Sequence, residues 1–215
     1  PVAEAIPRAD LLNYALYEGR FDPHVWMAPT LWRHAVAAVR DALIAAAPAA
    51  EAEFRSNADG YLAQIDALDV YARDVLAGVP AEARVLVTAH DAFGYFADAY
   101  GIEASEAIEG ISTESEAGLQ RIRTLVDLLV TRGIGAVFVE TSVSDRNMRA
   151  LVEGAAARGH EVAIGGELYS DAMGVPGTYE GTYLGMIDHN VTVIAGALGA
   201  SVPAGGMSGK LNMGI

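Results

Sequence analysis

Cysteine is absent from this chain of 215 residues. Disulfides, thiolate-bound metal and cysteine nucleophiles are therefore excluded, and any metal held here must rest on His, Asp, Glu or water. Positive charge is scarce as well: 14 Lys and Arg stand against 28 Asp and Glu, a formal net charge of −14. That balance argues against nucleic acid, where a basic footprint supplies most of the affinity. No apolar run approaches the roughly 18–20 residues that a membrane-spanning helix needs. Internal repeats and low-complexity tracts are missing, as are the HExxH, GxSxG and P-loop patterns of common enzyme classes. The opening PVAEAIPRAD lacks the basic start and apolar stretch of a signal segment and reads as a processed or cropped terminus.

What is present is an apolar majority, 52% of residues, with 23 Gly falling mostly between the apolar runs. Disorder is not the default reading for that content, and the glycine placement suits α/β turns. Residues 1–28 lack periodicity and read as loop. Pro29 is placed to open a helix, because its missing N–H has no partner there anyway. Leu31, Ala35, Val39, Leu43 and Ala46 continue it as a stripe of helical period. A second helix is expected over 49–78, far longer than the mean of roughly 11–12 residues, and a helix that long acts as a strut.

After Pro80 the period changes. Strands are expected at 84–89, 103–108, 136–140 and 161–164, alternating with helices at 92–100, 114–132, 144–158 and 180–198. Thr113 and Glu116 have the spacing of a capping box. Strands alternating with amphipathic helices imply an α/β fold, a mostly parallel sheet flanked by helices. The Gly-rich stretch from Ser201 is expected to fray.

Three residues stand out as candidate metal ligands. His90 sits where a strand gives way to a helix, the place where open α/β sheets bind ligands. It either projects to a ligand or only hydrogen-bonds the strand end, while Asp91 after it could cap the helix. Asp171, in GGELYSDAMG, follows a strand and precedes glycine; Ser-Asp before such a turn is also ordinary turn chemistry. His24, in FDPHVWM, lies on a loop beside Trp26 and serves equally well as ligand or packed residue. Two imidazoles and a carboxylate converging from separate loops would suit Zn, Mn or Fe(II). Glu140 could hold a ligand imidazole by its other N–H or cap the next helix. Glu167 is a weaker candidate of the same kind. His34, His160 and His189 read as ordinary helix or turn residues.

Five ordered segments then carry a family resemblance: DPHVWM at 22–27, TAHDAFGYFADAYGI at 88–102, GISTESEAG at 110–118, FVETSVS at 138–144 and GGELYSDAMG at 165–174. Together they resemble the solute-binding proteins of zinc and manganese ABC importers, receptors built on a helical backbone. The resemblance implies two lobes joined by one long helix. Residues 1–48 would be a remnant of the N-terminal lobe, 49–79 the connecting helix, 80–200 the C-terminal α/β lobe and 201–215 a flexible tail. It implies metal between the lobes on four side chains, of which His24, His90 and Asp171 are three. The fourth, a histidine, is expected upstream of Pro1. Mn2+ is the expected cargo by a narrow margin over Zn2+, with Fe2+ also within reach of the donor set. The implied partners are the metal ion and an ABC importer membrane permease. A monomer is expected, periplasmic or membrane-anchored outside the cell, and without enzymatic activity. The competing readings are a metal-dependent hydrolase, using an open coordination position to activate water, and a surface adhesin with a vestigial site.

Overall fold

Pro29 does open the first helix, α1 (Pro29–Ala46). In the computed structural model, which describes residues 2–13, 19–109 and 118–212, a short turn at 48–50 leads from it into α2 (Glu51–Ala77). At 1.5 Å per residue α2 is about 40 Å long. Its buried residues Ala58, Ile65, Leu68, Ala72 and Leu76 recur at helical spacing, so a single stripe is committed to the core. Among the described residues no helix is long and apolar enough to cross a membrane.

The α/β part runs β1 (Val85–His90), α3 (Gly94–Tyr100), β2 (Ala104–Glu109), α4 (Leu119–Arg132), β3 (Ala136–Glu140), α5 (Arg146–Ala156), β4 (Ala163–Leu168) and α6 (Tyr183–Ala197). β1 pairs in parallel with β2, and β3 with β4. The two pairs form separate two-stranded ladders, with β1 packed beside β3. Alternation along the strands sorts side chains to two faces. Val85, Val87 and Ala89 of β1 and Val137 of β3 join a core with α4 and α5, through Leu125, Leu129, Met148 and Leu151. Leu86 and Phe138 turn the other way, into a core built by α2, α3 and α6. The same alternation sends His90 to the Leu86 face and Glu140 to the Phe138 face. Both strands therefore deliver their last residue to one side.

The fourth strand departs from its expected place. Periodicity put it at 161–164, whereas it is Ala163–Leu168 and runs through Gly165 and Gly166. Consecutive glycines weaken a strand, and the expected strand stopped short of them. Here they admit α6: a Cβ on Gly165 would stand 2.7 Å from the Ala197 Cβ, and one on Gly166 would stand 2.4 Å from a Val193 methyl. Gly166 also has φ 155°, which side-chain-bearing residues rarely adopt.

Three helix starts also differ. α3 begins at Gly94 with Phe93 as the capping position, so Asp91 does not cap it. α5 begins at Arg146, and Glu140 is not its cap. α6 begins at Tyr183, where the Thr182 hydroxyl accepts the Gly185 N–H at 3.1 Å. The capping box at Thr113 and Glu116 falls outside the described residues; the described part of α4 starts at Leu119 behind Gly118. Where fraying was expected beyond Ser201, the chain is tied through Asn212. Buried Asp188 accepts the Met207 N–H at 2.9 Å, Glu180 accepts the Asn212 N–H at 2.9 Å, and Leu211 is buried.

Candidate metal site

β1 and β3 both end in a buried polar residue, and the two meet. Glu140 Oε1 accepts the backbone N–H of His90 at 2.9 Å. Its Oε2 lies 2.6 Å from His90 Nδ1, an ion-pair distance whose angle does not meet hydrogen-bond geometry. Both side chains are sealed from solvent. With the carboxylate at Nδ1, the other ring nitrogen, Nε2, is left pointing away from β3. That atom is buried and has no hydrogen-bond partner. An unpaired buried polar atom costs about 1–3 kcal/mol, so its persistence calls for a ligand.

His24 arrives from a different direction. Its loop precedes a short 3-10 turn (Val25–Met27) and is fastened from below by Tyr95 of α3, whose hydroxyl donates to the Asp22 carbonyl at 2.9 Å. Asp22 Oδ1 accepts the His24 backbone N–H at 2.9 Å and lies 2.7 Å from its Nδ1. This parallels the arrangement at His90: a buried carboxylate occupies the Nδ1 side and leaves Nε2 toward Asp171. The two imidazole rings sit 5.5 Å apart, edge to face.

Asp171 closes the group from the loop after β4. Its Oδ1 is 3.6 Å from His24 Nε2 and its Oδ2 is 3.6 Å from His90 Nε2. Those gaps are too long for hydrogen bonds. Two atoms each about 2.0–2.1 Å from a tetrahedral metal lie about 3.3 Å apart, so the gaps are close to the edge of a coordination polyhedron. One donor atom from each of His24, His90 and Asp171 lies within 4.8 Å of the others. The three residues singled out in the sequence are thus brought together. Glu167 is exposed and is not among the clustered donors, although its carbonyl accepts from His189 Nε2 at 2.9 Å.

Carboxylates dominate the electrostatics of this group. Burial alone would press the His90 pKa down, but Glu140, then Asp171 and Asp91, outweigh it and leave the value above its ordinary range. Asp91 is pushed up, by burial first and then by the charge of Asp22, against the opposing pull of His24, His90 and Arg121. Carboxylates crowd the imidazoles, and a divalent cation would relieve the repulsion between Asp22 and Asp91.

Comparison with known proteins bears on this geometry. A family model described as the periplasmic component A of a zinc-uptake complex matches residues 3–197. The chain belongs to this family. It is 48% identical over 198 residues to the manganese-binding lipoprotein MntA of Bacillus subtilis, covering 92% of this chain and 64% of the relative. To the zinc-binding protein TroA of Treponema pallidum it is 47% identical over 197 residues, covering 92% and 63%. The solved structure of TroA superposes with a TM-score of 0.87 at 46% identity, over 92% of this chain and 70% of that one. The chain therefore spans just under two thirds of the length of these curated relatives. Relatives of this zinc-uptake family named for manganese and for zinc stand at nearly equal identity, so similarity alone does not rank the two metals.

Some residues that shape the site drew no attention in the sequence. Asp22 opens the DPHVWM segment, and a carboxylate two positions before a histidine can reach back to its ring. Asn190 is an amide in the middle of an apolar helix, a placement that asks for buried partners. Trp26 ties two ligand loops by donating its indole N–H to the Ser170 carbonyl at 2.9 Å. Nothing local in the sequence marks that contact, because its partners are 144 residues apart.

Proposed function

We propose that the protein captures a divalent transition metal, Mn2+ or Zn2+, on His24, His90 and Asp171 and hands it to an ABC importer. The observation that carries this is the buried, unpartnered Nε2 of His90, facing Asp171 Oδ2 across 3.6 Å. Family membership supports it, as does the similarity to the manganese-binding MntA and the zinc-binding TroA. Three donors leave coordination positions for water or for a further protein ligand. The donor set of two imidazoles and one carboxylate suits both metals, and intrinsic affinity should favour zinc whichever is the cargo.

The reading includes a membrane permease as partner, a location outside the cytoplasmic membrane and a monomeric receptor. It also includes the absence of catalysis. The two buried carboxylates that touch the imidazoles, Asp22 and Glu140, both face Nδ1 atoms, an arrangement that orients ligands.

The test is metal content after exhaustive dialysis, for wild type and His90→Ala. About one Mn2+ or Zn2+ per chain in the wild type and none in the variant is the expected result. A metal-free wild type would sink the proposal, and turnover of an ester or phosphoester would favour a hydrolase. Adding Mn2+ and Zn2+ separately in a thermal-shift titration ranks the metals, since preferential binding to the native state raises its stability by about 4 kcal/mol at a thousandfold excess over Kd.

A further inference from the structure

Asp171 is held differently from the two imidazoles. His24 and His90 are buried, whereas the Asp171 side chain is 39% exposed. Among the described residues, no backbone hydrogen bond fixes the chain between Ser170 and Gly174. After Asp171, the Gly174 N–H donates to the Glu180 carbonyl at 2.9 Å, and the nearer contacts lie just before it. Asn190, fully buried in the middle of α6, accepts the Tyr169 N–H on Oδ1 at 2.9 Å. Its Nδ2 donates to the Tyr169 carbonyl at 2.7 Å. One residue later, the Ser170 carbonyl takes the Trp26 indole N–H.

A single amide that satisfies both backbone groups of one residue is a two-point grip, and it restricts rotation of both flanking peptides. It is also an expensive device. Neighbouring Ile187, Val191 and Ile194 are all buried and apolar, so an unpaired amide there would carry its full desolvation cost. An apolar residue in the same place would pack α6 without that risk, so packing alone does not account for it. Tyr169 stands two residues before Asp171, and Trp26 two residues after His24. Together the two contacts set the distance between the exposed ligand and the buried ones.

We propose that Asn190 is a positioning residue for metal retention: through Tyr169 it fixes where the Asp171 carboxylate stands, and thereby the rate at which a bound divalent cation escapes. This rests on the metal-capture reading above. Encounter depends on the buried imidazoles and the overall negative field, which Asn190 does not touch, so the effect falls on dissociation.

Stopped-flow displacement of Mn2+ and of Zn2+ by a chelator, run on the full chain, measures that rate directly. Asn190→Ala is expected to raise it about tenfold, the lower end for groups that orient metal ligands, while the association rate stays within about twofold. Trp26→Phe keeps an aromatic ring beside His24 while removing the indole N–H and, with it, the second ring. It is expected to shift dissociation in the same direction, and serves if Asn190→Ala does not fold. The visible spectrum of bound Co2+ should change in both variants, a signature that lost stability alone would not produce. Unaltered dissociation in folded variants, with a wild type that holds metal, overturns this inference and leaves the capture reading standing. A wild type that holds neither metal overturns both.

Discussion

The Glu140 carboxylate contacts His90 at two points: Oε1 accepts its backbone N–H at 2.9 Å, and Oε2 lies 2.6 Å from its Nδ1. A side chain on one strand thus sets the position of the ring on the next and the nitrogen that faces outward. The arrangement resembles a carboxylate–histidine pair in which the carboxylate keeps the proton on Nδ1 and raises the donor strength of Nε2.

Glu140→Gln should therefore weaken metal binding by about 10- to 100-fold, because the amide cannot match the charge that holds the ring. Isothermal titration with Zn2+ measures the change. Unchanged affinity would mean that His90 is oriented by its burial alone.

Asp22 should behave in parallel at His24. Asp22→Asn keeps an acceptor for the His24 N–H and removes the charge beside Nδ1, so affinity should fall within the same range of about 10- to 100-fold. Combining the two substitutions is informative. The carboxylates act on different imidazoles, and their effects on affinity should roughly add if the only link between them is the metal.

Gly166→Ala is expected to destabilise the fold without touching a ligand. The new Cβ would press on Val193 at 2.4 Å, and alanine tolerates φ 155° poorly. Overpacking and backbone strain together amount to about 2–5 kcal/mol. Urea unfolding followed by circular dichroism gives the difference; a loss under about 1 kcal/mol would mean that α6 slides away from β4 easily.

Glu180 predicts a pH dependence. Its carboxylate accepts the Asn212 N–H, which holds its pKa below the ordinary glutamate range. A depressed folded pKa stabilises the protein above the unfolded value, near about 4.3, and that contribution is lost as pH falls through the folded value. Wild type should thus exceed Glu180→Gln in stability near neutral pH, with the gap closing below about pH 4. Exchange protection of the Asn212 amide should fall with it. A gap that persists through the acid range would assign the anchor to geometry rather than charge.

Much of the fold was legible because its signals are local. Pro29 and the stripe of α2 mark helices from neighbours three and four positions away, and β-branched runs mark β1 and β3. Most of the misreadings share a cause: the deciding neighbour was distant in the chain. Gly165 and Gly166 fall outside the expected strand until α6 is laid against them. Asp91 is the exception, since the capping position it resembles falls to Phe93, only two residues on. The tail from Ser201 resembles loose chain until Asp188 and Glu180 receive its amides. At the site, His90 could be placed by its position at a strand end, whereas Asp171 and His24 gained weight only through their family segments.

The sequence by itself determined the ligand chemistry available: no thiolate, a surplus of carboxylate, and histidines at loop positions in segments shared with metal receptors. It determined as well that strands and helices would alternate behind one long helix, since hydrophobic period is a local property of the chain. Only the tertiary structure decided which nitrogens are free. Asp22 and Glu140 each occupy the Nδ1 side of a histidine, and Asn190 and Trp26 bring Asp171 to within 3.6 Å of both Nε2 atoms. The physical reason is that coordination depends on distances of a few ångströms among groups up to 147 residues apart, the separation of His24 from Asp171. Packing sets such distances, and residue spacing along the chain does not record them.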